Sequence, residues 1–109
     1  LSVVDKSVHE LQAALAQADA NTLVLDVREP WEHDLCAIKP AVHLPLRELP
    51  TRWQQRIDPK QTIYVICHHG GRSRQAARFL KANGFPHVFN VTGGIHAWAQ
   101  HIDPAMKTY

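Results

Sequence analysis

Two short stretches, Leu23-Val24-Leu25-Asp26-Val27 and Ile63-Tyr64-Val65-Ile66, are apolar almost without interruption. A strand that alternates can leave one face in water. A strand with no polar face must be covered on both sides. Segments with helical spacing stand between these and further apolar runs. Val8, Leu11, Ala14, Leu15 and Ala18 recur at three and four residues behind Ser7-Val8-His9-Glu10, which has the form of a capping box. Helix–strand alternation of this kind predicts an α/β domain with a mostly parallel sheet flanked by helices on both faces.

The remaining elements follow from local chemistry. Val3-Val4, Ala41 to Leu44 and Val88-Phe89-Asn90-Val91 read as further strands. Pro30 to Leu35 reads as a short helix with proline in its first turn. Another helix is expected over Arg47 to Arg56, although Pro50 restricts its start. Ser73 to Asn83 reads as a helix with Ala76, Ala77 and Leu80 inward, ended by Gly84 and Phe85-Pro86. Gly94 to His101 forms the last helix, and residues 103–109 are expected to be a surface tail. The 109 residues fit one domain, 1–109, with no internal repeat and no linker.

Composition excludes several classes. A net charge of +2 and a pI near 8.7 do not suggest a nucleic-acid binder. The apolar runs are too short to span a membrane. No basic segment followed by an apolar one opens the chain, so no signal peptide is expected. Cys36 and Cys67 are the only cysteines, too few for a disulfide framework, and a reducing, cytoplasmic setting is the simpler expectation. The eight histidines show no metal-ligand spacing beside carboxylates or cysteines, and adjacent His68-His69 is poor geometry for one ion, so no metal is expected.

Chemistry concentrates in Cys67-His68-His69-Gly70-Gly71-Arg72-Ser73, between the clearest strand and the best-terminated helix. Ligands of open α/β sheets collect at the carboxyl ends of strands. Gly70 and Gly71 let the backbone bend and turn its N–H groups inward. The following helix N-terminus adds partial positive charge and Arg72 adds a full one. Together they would favour a Cys67 thiolate, a nucleophile suited to an anionic substrate. An inert strand-end cysteine is the plain alternative. Ser73 is equally a hydrogen-bond donor to sulfur and a helix cap. His68 and His69 read as loop fillers before proton shuttles. Asp26 and Arg28, two apart on a strand, point the same way and read as a supporting structural ion pair before a pair that orients the loop or a substrate. Cys36 reads as a packing residue, with a resolving thiol as the lesser alternative. Trp31, Trp53 and Trp98 read as core or partly buried anchors.

Cys-x-x-Gly-x-Arg-Ser after an apolar strand resembles the active-site loop of the rhodanese domain. Asp26-Val27-Arg28-Glu29 with Glu32 is similar to that family's early motif. Ile38, Ala41, His43, Leu44 and Pro45 match its next region, and Gly93-Gly94-Ile95-His96-Ala97-Trp98 its C-terminal signature. Pro40 departs from the glycine common at its position. The resemblance implies a central five-stranded parallel sheet with the cysteine loop at its C-terminal edge. It implies a thiosulfate sulfurtransferase with a covalent Cys67 persulfide, no other cofactor, a small anionic sulfur donor, and cyanide, a thiol or a protein thiol as acceptor. It also suggests that Arg72 helps shape the loop through an acidic partner; binding the donor's oxyanion is the other reading. Cysteine phosphatases and arsenate reductases share the fold, but those phosphatases place one more residue between Cys and Arg than His68, His69, Gly70 and Gly71. A rhodanese-like module that binds without catalysis is a further alternative.

Overall fold

The computed structural model describes residues 2–109. Five parallel strands form one sheet: β1 (Val4–Lys6), β2 (Thr22–Asp26), β3 (Val42–His43), β4 (Thr62–Ile66) and β5 (Val88–Val91), in the order β1-β5-β4-β2-β3. The expected mostly parallel sheet is parallel throughout. The two continuous apolar runs, β2 and β4, are paired at its centre with Leu25 opposite Val65.

Each central strand divides its side chains between two cores. Leu25, Ile63, Val65 and Val88 face Ala76, Ala77 and Leu80 of α4 (Gly71–Ala82). Val24, Tyr64, Ile66 and Val91 face Val8 and Leu11 of α1 (Val8–Ala16), and Ile95 and Trp98 of α5 (Gly94–His101). Burial on both faces is why neither strand alternates in polarity. At about 25 cal/mol per Å² of apolar surface, these two layers supply the main drive for folding.

Local rules account for the helix ends. Ser7 Oγ accepts from Glu10 N–H while the Glu10 carboxylate accepts from Ser7 N–H, closing the capping box. α1 stops at Ala16, and Ala18 turns left-handed at φ 53°. α2 occupies Pro30–Leu35 as expected. The helix expected over Arg47 to Arg56 is instead broken: a 3-10 turn at Leu46–Glu48, α3 at Leu49–Arg52, and a second 3-10 turn at Trp53–Gln55. Pro50 has no N–H to continue a ladder from the preceding turn, so α3 must restart there. α4 starts at Gly71, two residues earlier than Ser73, with Gly70 as its N-cap. The Lys39–Pro40 peptide is cis.

Residues 103–109 run along the surface, but not as a loose tail. Met106 and Tyr109 pack against the α1–α5 core, and the Tyr109 hydroxyl reaches buried charge near the end of β2. Among the described residues no helix is long and apolar enough to cross a membrane.

Candidate active site

Cys67 directly follows β4 and is 1% exposed. Its sulfur accepts the Gly70 N–H at 3.0 Å and lies 3.2 Å from Ser73 Oγ. The bend that returns Gly70 to the sulfur needs φ of +120°, which glycine adopts without cost. The carbonyls of Cys67 and His68 are drawn the other way. They accept from Ile95 and His96 N–H, at 2.9 and 3.1 Å, in the first turn of α5. The loop's acceptors are therefore bound outside the cradle while an amide points at the sulfur. Gly94 allows this approach, since a Cβ there would overlap the Cys67 and His68 carbonyl oxygens. The glycine pair thus makes the turn into α5, and Gly94 also seats the loop.

Arg72 does not face the sulfur as a free cation. Its Nη1 and Nη2 donate to Glu32 Oε1 and Oε2 at 2.6 and 2.9 Å, a bidentate pair between α4 and α2. Glu32 also accepts from the Tyr109 hydroxyl at 2.7 Å and from Glu29 N–H at 2.9 Å. The Arg72 hydrogen bonds, against the penalty of burial and with help from Tyr109, hold the Glu32 carboxyl down at about 2. The same pair raises Arg72 further above its ordinary range, so both groups stay charged.

Arg28 is fully buried, which costs heavily unless every donor is matched. It is matched. Nε and Nη2 donate to Asp26 at 2.9 and 2.7 Å, Nη2 to Cys36 O at 2.6 Å, and Nη1 to Glu32 O at 3.2 Å and Tyr109 Oη at 3.1 Å. Burial works against its charge, but the Asp26 and Tyr109 hydrogen bonds outweigh it and Arg28 is held protonated. Burial likewise opposes the Asp26 charge, and the hydrogen bonds from Arg28 and His33 keep that carboxyl below its usual range. Two of Arg28's acceptors are the Glu32 carbonyl within α2 and the Cys36 carbonyl at its C-cap, so Arg28 fixes α2, and α2 carries Glu32 to Arg72. Asp26 and Arg28 form the expected ion pair, and their side-chain hydrogen bonds go to each other, His33, the α2 end and Tyr109, not to the cysteine loop.

At the mouth, His68 stacks on Tyr109 with ring centroids 3.9 Å apart. His69 lies 4.0 Å from His68 and 5.0 Å from His96. Burial, reinforced by His69, lowers the His68 pKa, which keeps its ring neutral at pH 7. His69 and His96 are exposed, and Gly71 opens α4. Cys36 is buried and packs in the α1–α5 core, whereas Cys67 belongs to the α3–α4 core across the sheet; both are free thiols. Among the described residues no group of three or more His, Cys, Asp or Glu could hold a metal ion.

Residues 7–101 match the Rhodanese-like domain family. The chain belongs to that family. This rhodanese-like domain is 38% identical over 90 residues to the Arabidopsis thaliana chloroplastic rhodanese-like/PpiC domain-containing protein 12, covering 79% of this chain and 30% of that protein. It is 41% identical over 81 residues to the Bacillus subtilis (strain 168) protein YrkF, provisionally named a sulfur carrier, covering 74% of this chain and 43% of that protein. The domain thus spans less than half the length of either relative. Among solved structures, a rhodanese-related protein from Thermoplasma volcanium superposes with a TM-score of 0.81 at 30% identity, over 91% of this chain and 93% of that one.

The sequence placed Cys67, Gly70 and Ser73 together, and they are in contact. It left Arg72 between substrate and loop, and the geometry gives it to Glu32. Glu32 stood in the sequence only as part of a motif. Asn90 and Tyr109 were not singled out at all. For Asn90 there was a signal, a lone polar residue inside the apolar run Val88–Val91 that requires a buried partner.

Proposed function

We propose that this rhodanese-like domain is a sulfurtransferase in which Cys67 carries sulfane sulfur as a persulfide. The observation that carries the reading is the Gly70 N–H aimed at Cys67 Sγ from the N-cap of α4, with the neighbouring carbonyls bound away to α5. The Cys67 thiolate attacks the outer sulfur of thiosulfate. The donor's S–S bond breaks, sulfite leaves with the electron pair, and Cys67 holds the terminal sulfur as a persulfide anion. Cyanide or a thiolate then attacks that sulfur, and thiocyanate or a new persulfide departs as the Cys67 thiolate returns. No net electron is gained or lost by the protein, and no cofactor is needed beyond the covalent sulfur. The loop amides from His68 to Ser73, with the α4 N-terminus, stabilise the terminal negative charge as an oxyanion hole would. Arg72 serves this cycle by bracing the loop against Glu32. That role disfavours a phosphatase or arsenate reductase, whose arginine must clamp a tetrahedral anion.

The test is an intact mass of reduced protein after thiosulfate, beside Cys67→Ala. A gain of one sulfur atom, absent from the variant and discharged by cyanide, is the expected result. No gain from thiosulfate or from glutathione persulfide would sink the sulfurtransferase reading and favour a binding module.

A further inference from the structure

Behind Ser73, a chain of hydrogen bonds leads from the sulfur to the edge of the sheet. Ser73 Oγ–H donates to Asn90 Oδ1, and Asn90 Nδ2 donates to Asp5 Oδ1 at 3.1 Å. Asp5 and Asn90 are directly opposed on β1 and β5. Asp5 also takes two hydrogen bonds from Arg74, at 2.9 and 3.0 Å. The Asn90 and Arg74 hydrogen bonds lower the Asp5 pKa, so its carboxyl is ionised.

Hydrogen counting then fixes every direction. An ionised carboxylate only accepts, so Asn90 must turn its amide nitrogen to Asp5 and its oxygen to Ser73. An amide oxygen only accepts, so the single Ser73 hydrogen is committed to Asn90. Ser73 and Asn90 are 0% and 1% exposed, which leaves no room for water to rearrange the bonds. What Ser73 presents to Cys67 Sγ, 3.2 Å away, is therefore a lone pair.

We propose that Asn90 and Asp5 are positioning residues that make Ser73 an acceptor of the Cys67 thiol hydrogen, opposing the Gly70 amide. The proposal rests on Cys67 being the nucleophile of the reading above. It reverses the role expected of a hydroxyl beside a reactive sulfur, which would donate to the thiolate. Asp5→Asn tests it through one atom on an exposed residue. Asn at position 5 can donate to Asn90, which lets the Asn90 amide flip, donate to Ser73 and release the Ser73 hydrogen to the sulfur.

The measurement is the pH profile of Cys67 alkylation by iodoacetamide, read on the Cys67 peptide by mass so that Cys36 does not contribute. No sulfur donor enters, so failed loading from thiosulfate and failure here are separate outcomes. Arg72 on α4, Glu32 on α2, His68 and His69 in the loop, His96 on α5 and Tyr109 also surround the site and are the same in every variant, whereas Arg74 loses its carboxylate partner in Asp5→Asn, with or without Ser73. Asp5→Asn should move the profile to lower pH, with alkylation on its acid limb about threefold faster, as half a unit of displacement gives. Ser73→Ala, which removes the acceptor, should move it the same way, and Asp5→Asn should then add little. A slower Ser73→Ala reaction would show a donor serine and overturn the proposal. So would an unmoved Asp5→Asn profile, or an Asp5→Asn shift that persists in full without Ser73, which is a plain charge effect.

Discussion

Replacing Glu32 by Gln removes one charge from the brace between α2 and α4 and leaves its shape. The wild-type carboxylate accepts four hydrogen bonds, two from Arg72, one from Tyr109 and one from Glu29 N–H. Its pKa falls from 4.5 in the unfolded chain to about 2 in the fold. A depressed carboxyl contributes stability that is fully present above its unfolded value and is lost as pH falls through its folded one. At 1.36 kcal/mol per unit, the contribution at pH 7 is about 3 kcal/mol. At pH 3, where the unfolded carboxyl is mostly protonated, linkage leaves roughly 1.4 kcal/mol. The assay is urea unfolding followed by tryptophan fluorescence, wild type beside Glu32→Gln. The variant's midpoint at pH 7 should fall by about 2 M, with the gap closing by about half at pH 3. Gln also turns an amide N–H2 toward Arg72 in either orientation, and with it toward Glu29 N–H or the Tyr109 hydroxyl, a penalty that does not depend on pH. A gap of equal size at pH 7 and pH 3 would refute the electrostatic account and leave only misplaced hydrogen bonds. No gap at pH 7 would show that Arg72 finds equal compensation in water.

Gly94→Ala, which drives a Cβ into the carbonyls of Cys67 and His68 at φ +56°, should cost about 2 kcal/mol or more in thermal unfolding and slow Cys67 alkylation. Arg72→Lys keeps the charge but loses the fork, so sulfur loading should slow while the urea midpoint falls by less than for Glu32→Gln. Tyr109 ionises only near pH 12 in the fold, because burial and Glu32 oppose its anion. Its contribution is therefore present below the ordinary tyrosine value of 10.0 and lost as pH rises toward 12. Tyr109→Phe should be less stable than wild type at pH 8, by roughly 1 kcal/mol, and should show a flatter loss above pH 10 in urea melts.

The parallel sheet was legible because β2 and β4 carry no polar face, and the start of α1 and the end of α4 because their caps are local. The cysteine loop was legible because strand, glycines and helix start lie within a few residues of one another. The brace was harder to see. Arg72 and Glu32 are 40 residues apart, and they meet only because β2 and β4 are neighbours whose following helices, α2 and α4, are drawn together above the strand ends. Nothing near Arg72 in sequence announces that partner. Tyr109 was hidden for the same reason at 77 residues' separation, and the short run of mixed polar and apolar residues before it reads as a tail until its hydroxyl is placed between Glu32 and Arg28. The break around Pro50 was half visible. Proline marked the restart, but the 3-10 turns on either side depend on how Leu49 and Trp53 enter the α3–α4 core.

The cysteine loop is seated by main chain. Its amide meets the sulfur and its carbonyls meet the first turn of α5, while the exposed His69 side chain makes no hydrogen bond that holds it and His68 only leans on Tyr109. The scaffold that makes Cys67 reactive and the side chains a substrate first encounters are therefore separable variables. Position 69 can change in size or charge to admit a different donor without rebuilding the cradle, and the reactive centre can persist through a change of partner.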